Sequence, residues 1–291
     1  MIQLANKRTE WEVRQMWKTC FNDSDEFTDL YFSEKYTNEN TLIYFEGDKA
    51  VASLQMLPYH FNFCGTEIPV AYISGACTLP EYRHRGLMGK LLLEAFNLMR
   101  EREIPLSILI PAETWLYDYY AQYGYETVFE AEKKEIPLKE IIAKSKGNMD
   151  AAYSVFNELF RNKNFCIQKT KADFITIVKD AELDGFPTKT NLSGMARIID
   201  AQALLKIFGM KYQEKLFSFA LEDKIISQNS ACYELQFGKL NISKSIPEKN
   251  PFHFNPACLC RLLFGFRLEE LPKKEVENFI SHQPIMNLML E

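Results

Sequence analysis

Apolar residues in the first part of the chain recur at the spacing of short β-strands. Apolar stretches at 41–45 and 50–59 are separated by Gly47 and Asp48, two turn residues, and therefore predict an antiparallel hairpin. A second hairpin is predicted at 61–71, which leads into the next strand. Together these segments predict the first half of a β-sheet.

Two helices are predicted ahead of these strands, after a short strand at 2–4. Apolar residues at helical spacing follow Thr9 and Ser24, two residue types that begin helices well. Thr9 and Glu12 also have the spacing of a capping box, in which two side chains cap the first turn reciprocally. We therefore expect the Thr9 side chain to cap the first helix.

The central stretch is a predicted strand at 71–79, a loop rich in Arg and Gly, and a helix with a core-facing apolar stripe at 87–98. The first amide groups of a helix have no partner inside it and carry partial positive charge, to which Arg83 and Arg85 add full charges. Such a turn can hold a pyrophosphate. The loop has neither the three-Gly spacing of dinucleotide-binding turns nor the Gly-Lys-Ser/Thr of P-loops. An ordinary crossover with a solvated basic corner fits the same residues, so both interpretations stay open.

The remainder of the chain divides into two further parts. Residues 132–193 are polar and amphipathic and predict helices followed by a linker rich in turn residues. Residues 194–291 begin with a strand that enters a helix at Asp200, a good N-cap, and continue with alternating strands and an apolar helix. We therefore predict three parts, 1–131, 132–193 and 194–291, in an α/β (α+β) fold.

Composition and charge exclude several function classes. The chain has 291 residues, 47% of them hydrophobic, which is enough for a sizeable core. A net charge of −5 without a long basic stripe argues against nucleic-acid binding. The seven Cys residues include no Cys-x-x-Cys pair, so we expect reduced thiols in a cytoplasmic protein and no metal site. The N-terminus has no apolar signal core and no uncharged run reaches spanning length, so no membrane segment is expected.

Two motifs resemble those of the GNAT superfamily of N-acetyltransferases. Residues 83–88 read Arg-His-Arg-Gly-Leu-Met after a strand and resemble motif A, whose pattern is Arg/Gln-x-x-Gly-x-Gly/Ala. Met88 departs from the small residue usual there, a departure that is familiar in the Eis (enhanced intracellular survival) branch. Residues 120–125 read Tyr-Ala-Gln-Tyr-Gly-Tyr and resemble the family's Tyr-x-x-Phe/Tyr-Gly-Phe/Tyr signature. Two motifs in the right order are more specific than either alone.

This resemblance implies a fold and a co-substrate. It implies a GNAT mixed, mostly antiparallel sheet flanked by helices over residues 1–131, and acetyl-CoA as the acetyl donor without a metal. The pantetheine arm would lie along a strand whose neighbour splays away, and the pyrophosphate would lie on the loop. The residues that the resemblance assigns to the cofactor are Ala76, Cys77, Thr78, Arg83, His84, Arg85, Gly86, Leu87, Met88, Gly89 and Lys90.

Acetyl transfer from a thioester needs an acid for the leaving thiolate and a base for the amine. The resemblance assigns the acid to Tyr120, although by its sequence alone it could be one more packed aromatic. It assigns the base to the C-terminal carboxylate, here that of Glu291. Among the side chains, His60 and Glu81 are weaker candidates for the base. A tail that merely covers a domain junction is the structural alternative. Since Cys77 has no evident His partner, we expect direct attack by the amine in a ternary complex instead of an acyl-cysteine.

The C-terminal part resembles the sterol-carrier-protein-like domain of the Eis group, and the middle part is shorter than the degenerate second acetyltransferase-like domain usual there. We expect an acetyl-CoA-dependent N-acetyltransferase that acts on a primary amine of a small molecule or peptide. A non-catalytic acetyl-CoA sensor or scaffold and a lipid-binding protein are the alternatives. The acidic residues Asp25, Glu26 and Asp29 could attract a cationic amine or form a solvated helix face. The sequence leaves the oligomeric state open, and a homo-oligomer is compatible with it.

Overall fold

The computed structural model describes residues 1–131, 136–186, 192–244, 252–286 and 288–289. The elements of the first part are, in order, β1 (Ile2–Leu4), α1 (Glu10–Cys20), α2 (Asp25–Glu34), β2 (Thr41–Glu46), β3 (Lys49–Phe63), β4 (Thr66–Thr78), α3 (Leu87–Glu101), β5 (Leu106–Leu109), α4 (Leu116–Ala121) and β6 (Glu126–Phe129). Those of the middle part are α5 (Leu138–Lys144), α6 (Met149–Glu158), β7 (Cys166–Gln168) and α7 (Lys171–Leu183). Those of the last part are β8 (Gly194–Ile198), α8 (Ala201–Lys211), β9 (Leu216–Leu221), β10 (Ala231–Gln236), β11 (Lys239–Ser243), β12 (His253–Phe254), α9 (Pro256–Phe264) and α10 (Lys273–Val276).

The larger of two sheets has the strand order β1-β2-β3-β4-β5-β8-β6, and β7 pairs with the far end of β3. Neighbouring strands are antiparallel except β4 and β5, which run parallel. Side chains of β3 alternate between two cores, because successive residues of a strand face opposite sides. Leu57 and Tyr59 pack with α1 and α2, whereas Leu54 and Met56 pack with α3. The predicted mixed, mostly antiparallel sheet with helices on its faces is confirmed.

Strand β8 brings the last part of the chain into the larger sheet. Ala196 pairs with Ile108 of β5 on one side and with Glu126 of β6 on the other. From the middle part, β7 pairs with β3 through Ile167 and Phe61. All three predicted parts therefore contribute strands to one sheet.

The smaller sheet has the order β11-β10-β9-β12 and lies entirely in the last part of the chain. Its strands are antiparallel except for β12 beside β9. Asp200 caps α8 as predicted, since its carboxylate accepts from the Ala203 N–H at 3.0 Å. Across the stretches of chain that the structure describes, every helix is too short or too polar to cross a membrane.

Thr9 precedes α1 as predicted, but the capping box is wrong. The Thr9 hydroxyl accepts from the Asn6 N–H at 2.8 Å and donates to the Asn6 carbonyl at 3.1 Å. The backbone of Thr9 has helical angles, φ −93° and ψ −9°, whereas a capping residue is extended. The hydroxyl therefore bonds to the preceding turn and not to the first turn of the helix.

Candidate active site

Strands β4 and β5 separate part-way along their length. They pair only from Val70 to Tyr72 of β4, although β4 continues to Thr78. Within the described part of the chain, no strand pairs with this edge of β4 beyond Tyr72, while β3 stays paired with its other edge. Such an edge offers backbone donors and acceptors to an extended, amide-bearing ligand.

A β-bulge lies in the separated part of β4. Ser53 pairs with Cys77 and Gln55 with Ser74, so β4 has one residue more than β3 between these two pairs. Gly75 lies in the bulge with φ 56°, in the left-handed region. A Cβ at this position would lie 2.6 Å from an indole carbon of α1. Both the backbone angle and the packing therefore require glycine where β4 bends beside the gap.

The first turn of α3 faces the end of β4 without a side-chain cap. Gly86 is the N-cap, with φ 70°, and the Lys90 N–H donates to its carbonyl at 3.2 Å. Among the residues that the structure describes, no side-chain hydrogen bond caps the N–H groups of Leu87, Met88 and Gly89. Such N–H groups, together with the dipole of a 15-residue helix, can bind an anion.

The charged side chains of the loop lie around this turn. Arg83 Nε donates to the Thr78 carbonyl at 3.1 Å, and Arg85 forms an ion pair with a glutamate of β2. His84 and Lys90 are exposed. Because exposed ion pairs are weak, these cations can exchange partners with an incoming anion.

The two sequence motifs are in direct contact. A Cβ on Gly89 would lie 2.1 Å from the hydroxyl oxygen of Tyr123, so the phenol packs directly on the first turn of α3. The Tyr123 ring also packs against Tyr119, with centroids 5.3 Å apart. The loop and the aromatic helix α4 therefore form one site.

Tyr120 is the buried phenol of this site. Its side chain is 7% exposed and its ring packs against Tyr119 and Tyr125, with centroids 5.4 and 5.6 Å away. Among the described residues its hydroxyl has no hydrogen-bond partner, and burial raises the pKa of Tyr120 to about 12. The phenol therefore stays protonated near neutral pH and can act only as a proton donor in its resting state.

Comparison with known proteins agrees with this geometry. Residues 2–128 match the model of the acetyltransferase (GNAT) domain. The N-terminal part of the chain is therefore similar to a GNAT domain. No curated protein matches the chain significantly.

Solved structures share this fold over nearly the whole chain. A GCN5-related N-acetyltransferase from Anabaena variabilis is 14% identical, with 98% of each chain covered and a TM-score of 0.62. One from Kribbella flavida is 12% identical, with 95% of this chain and 91% of that one covered, at a TM-score of 0.64. Eis1 from Mycobacterium abscessus is 12% identical, with 98% of each chain covered and a TM-score of 0.65. At these identities the likeness shows the fold.

Two cysteines lie at the separated part of β4. Cys77 is buried on β4, and a hydrogen bond with Cys20 together with burial raises the pKa of Cys77 well above its usual value. The hydrogen bond with Cys77 and the nearby Arg83 guanidinium lower the pKa of Cys20 to about 7. The Cys20 thiol also donates to the Thr78 carbonyl at 3.5 Å. The sequence analysis missed Cys20, because it lies at the end of α1, far along the chain from the loop.

The C-terminal tail packs into the same buried cluster as residues of α1 and α2. Met286 and Met289 are buried, and the Ile285 N–H donates to the Phe165 carbonyl at 2.8 Å. The Nζ of Lys169 lies 2.7 Å from the Met289 sulfur. Glu291, assigned to the base, lies outside the described residues.

The weaker candidates of the sequence analysis lie at the surface. His60 is exposed on β3, and Glu81 is exposed and paired with a lysine at 3.1 Å. On α2, Asp25 and Asp29 form exposed ion pairs with α1. Glu26 is also exposed. Within the described residues, no group of three or more His, Cys, Asp or Glu could hold a metal ion.

Sequence reasoning also missed Arg197, a fully buried cation on β8. Its signal was a charged residue in the middle of the apolar run 194–199, which a strand buried on both faces does not tolerate without a partner. A cavity of about 490 Å³ opens over it, lined among others by Gln122, Lys224 and His253.

Proposed function

We propose that the protein is an acetyl-CoA-dependent N-acetyltransferase of Eis type that acetylates a primary amine of a small molecule or peptide. One observation carries the proposal. The unpaired edge of β4 leads to the first turn of α3, and Tyr123, in the turn that ends the phenol-bearing helix α4, packs on that first turn. An anion position, a strand edge and a buried proton donor match the pyrophosphate, the pantetheine arm and the thioester of acetyl-CoA.

The residues of the loop fit a CoA pyrophosphate. The N–H groups at 87–89 and the side chains of Arg83, Arg85 and Lys90 would hold it, with His84 beside them. Gly86 has open space where a Cβ would lie, so the backbone can approach a phosphate closely. The backbone of Ala76–Thr78 would hold the pantetheine arm along the edge of β4.

Acetyl-CoA supplies an activated acetyl group, and the chain supplies position and protons. Backbone N–H groups near the bulge at Gly75 would polarise the thioester carbonyl. Tyr120 would protonate the leaving thiolate, and the raised pKa of Tyr120 keeps the phenol in the protonated form that this step needs. The amine attacks directly, because the raised pKa of Cys77 keeps its thiol protonated and unreactive near neutral pH.

The terminal carboxylate of Glu291 completes the proposal as the base that accepts the proton of the amine. Its support is the packing of the tail, since Met286 and Met289 belong to the same buried cluster as Tyr59 and Tyr72. Tyr72 is also the last residue of β4 that pairs with β5. The cluster that the tail joins therefore reaches the point where the two strands separate.

We also assign the last part of the chain to a sterol-carrier-protein-like domain with a packed interior. The rings of Phe217 and Phe219 are 5.8 Å apart, and Phe219 stacks on Tyr233 at 5.5 Å and contacts Phe254 at 5.2 Å. These contacts fill the face of β9 with side chains. They favour a structural domain over a lipid carrier.

The test is acetyl-CoA turnover, measured as thiol release, with polyamines, aminoglycosides, amino acids and Lys peptides as acceptors. We expect at least one amine to react, Tyr120→Phe to lower kcat about a hundredfold, and a chain extended by one Gly after Glu291 to be inactive. Tyr119→Phe is the matched control, because it removes a neighbouring hydroxyl from the same helix. Turnover that survives the extension places the base elsewhere. Acetyl-CoA binding without turnover on any amine contradicts the enzyme and favours the sensor.

A further inference from the structure

Arg197 is a buried cation with an unusually complete set of partners. A buried charge is unfavourable unless it is paired and hydrogen-bonded. The Nη2 of Arg197 donates to both carboxylate oxygens of Asp223 at 2.8 Å each. Its Nη1 donates to the Ile198 carbonyl at 2.7 Å, and its Nε donates to the Tyr123 carbonyl at 2.8 Å. One planar group therefore connects β8, the segment after β9 and the end of α4.

Asp223 holds one side of this guanidinium in a fixed orientation. The N–H groups of Ile225 and Ile226 donate to its carboxylate at 3.1 and 2.9 Å. The side-chain amide of Asn229 donates to it at 2.9 Å. These donors lie in the loop between β9 and β10, so the smaller sheet determines where the carboxylate lies and thereby where Arg197 lies.

The other side of the guanidinium holds the turn that ends α4. The N–H groups of Tyr123 and Tyr125 donate to the Tyr120 carbonyl at 2.9 and 3.3 Å. Gly124 has φ 81°, and a Cβ there would lie 2.8 Å from the Nε of Arg197, so the turn packs on the guanidinium without spare room. With six residues, α4 is too short to be stable alone, and its position depends on such contacts.

We propose that Arg197 is a positioning residue for the Tyr120 phenol, through which the smaller sheet fixes the acid of the GNAT domain. The inference rests on the proposed function, in which Tyr120 is that acid. Because the Tyr120 hydroxyl has no hydrogen-bond partner among the described residues, only its ring contacts and its backbone determine where it lies. Arg197 holds that backbone through the Tyr123 carbonyl. A lysine keeps the charge opposite Asp223 but cannot donate to both partners in the geometry of the planar fork.

The kinetic test compares Arg197→Lys, Tyr120→Phe and the double variant, with the amine that gives turnover in the panel above. We expect Arg197→Lys to lower kcat about tenfold to a hundredfold, the range for a displaced catalytic group. The KM for acetyl-CoA should change much less than kcat, because the substitution removes no donor or charge of the loop at 83–90. In the Tyr120→Phe background, Arg197→Lys should lower kcat no further. An equal loss in both backgrounds overturns the proposal, whereas full activity of Tyr120→Phe overturns the acid role itself.

A second readout does not depend on turnover. In protein labelled with 3-fluorotyrosine, the ¹⁹F signal that is missing in Tyr120→Phe belongs to Tyr120. This signal should shift or broaden in Arg197→Lys. The signal should be unchanged in Arg100→Lys, the matched control. Arg100 donates to the Ile199 carbonyl at 2.8 Å, next to the end of the same strand, and among the described residues it has no hydrogen bond to the turn after α4. An unchanged Tyr120 signal in Arg197→Lys overturns the proposal. If Arg197→Lys does not fold, Asp223→Asn, which keeps the shape of the partner and removes its charge, is measured instead with the same expected results.

Discussion

Two regions hold opposite sides of Tyr123, and they are built in different ways. On one side the hydroxyl packs on Gly89 in the loop at 83–90, whose charged side chains are exposed. On the other side the carbonyl accepts from Arg197, which is fully buried and paired with Asp223. The loop consists of eight consecutive residues, whereas Tyr123, Arg197 and Asp223 come from three distant segments of the chain. The exposed loop therefore suits the exchange of a ligand, and the buried Arg197–Asp223 pair suits fixed positioning.

The largest expected difference between the two regions is in stability. Arg197→Met leaves the carboxylate of Asp223 buried without its cation, and we expect the free energy of unfolding to fall by about 3–5 kcal/mol. Arg85→Met in the loop removes an exposed pair with Glu46, and we expect no measurable change, since solvent screens such pairs. Urea denaturation of both variants measures this. The affinity of the folded protein for acetyl-CoA should show the opposite pattern: it should fall in Arg85→Met and stay unchanged in Arg197→Met. Similar losses of stability in both variants would remove the distinction between the two regions.

The same contrast explains what the sequence could predict. The loop, the Tyr motif and the Asp200 cap depend on residues close together in the chain, so their spacing carries the information. The capping box at Thr9 is local too, but it failed because the box needs an extended N-cap backbone and Thr9 has helical angles.

Long-range pairing was outside the reach of the sequence analysis. An apolar strand pattern predicts β8 but not its neighbours, and its insertion between β5 and β6 is set by tertiary packing. The partners of Arg197 follow from that insertion and from the loop after β9. For the same reason the contact between Cys20 and Cys77 carried no sequence signal, since the two residues lie on different elements.

The thiol of Cys20, beside the loop, and the thiol of Cys258, beside the smaller sheet, differ in the same way as the two regions. Cys20 and Cys258 are both partly exposed, but their pKa values are shifted in opposite directions. The hydrogen bond with Cys77 and the Arg83 guanidinium lower the pKa of Cys20 to about 7, while burial raises the pKa of Cys258 to about 11. Only thiolates react, and a lower pKa also weakens the nucleophile, so iodoacetamide at pH 7.5 should label Cys20 faster by a factor on the order of tens.

The labelling rate of Cys20 should rise through about pH 7 and then level off, because the thiolate is then fully formed. Peptide mass spectrometry after timed quenching measures both rates. Arg83→Gln is the matched control, which removes the charge beside Cys20 and should slow its labelling at pH 7. Equal rates for Cys20 and Cys258 in the wild type would show that the loop does not activate this thiol.

The smallest expected effect concerns the contact by which the loop holds Tyr123. In Gly89→Ala the new Cβ would lie 2.1 Å from the Tyr123 hydroxyl, which must move, and we expect a loss of stability of about 1 kcal/mol. Alanine is otherwise the better helix former, so without the hydroxyl this loss should disappear. Thermal unfolding of Gly89→Ala, Tyr123→Phe and the double variant measures the coupling. If Gly89→Ala is equally destabilising in the Tyr123→Phe background, the hydroxyl contact is not what requires glycine. If the loss of stability disappears in the Tyr123→Phe background, steric fit is what joins the loop to the Tyr123 hydroxyl. Arg197, in contrast, holds the Tyr123 carbonyl by a hydrogen bond.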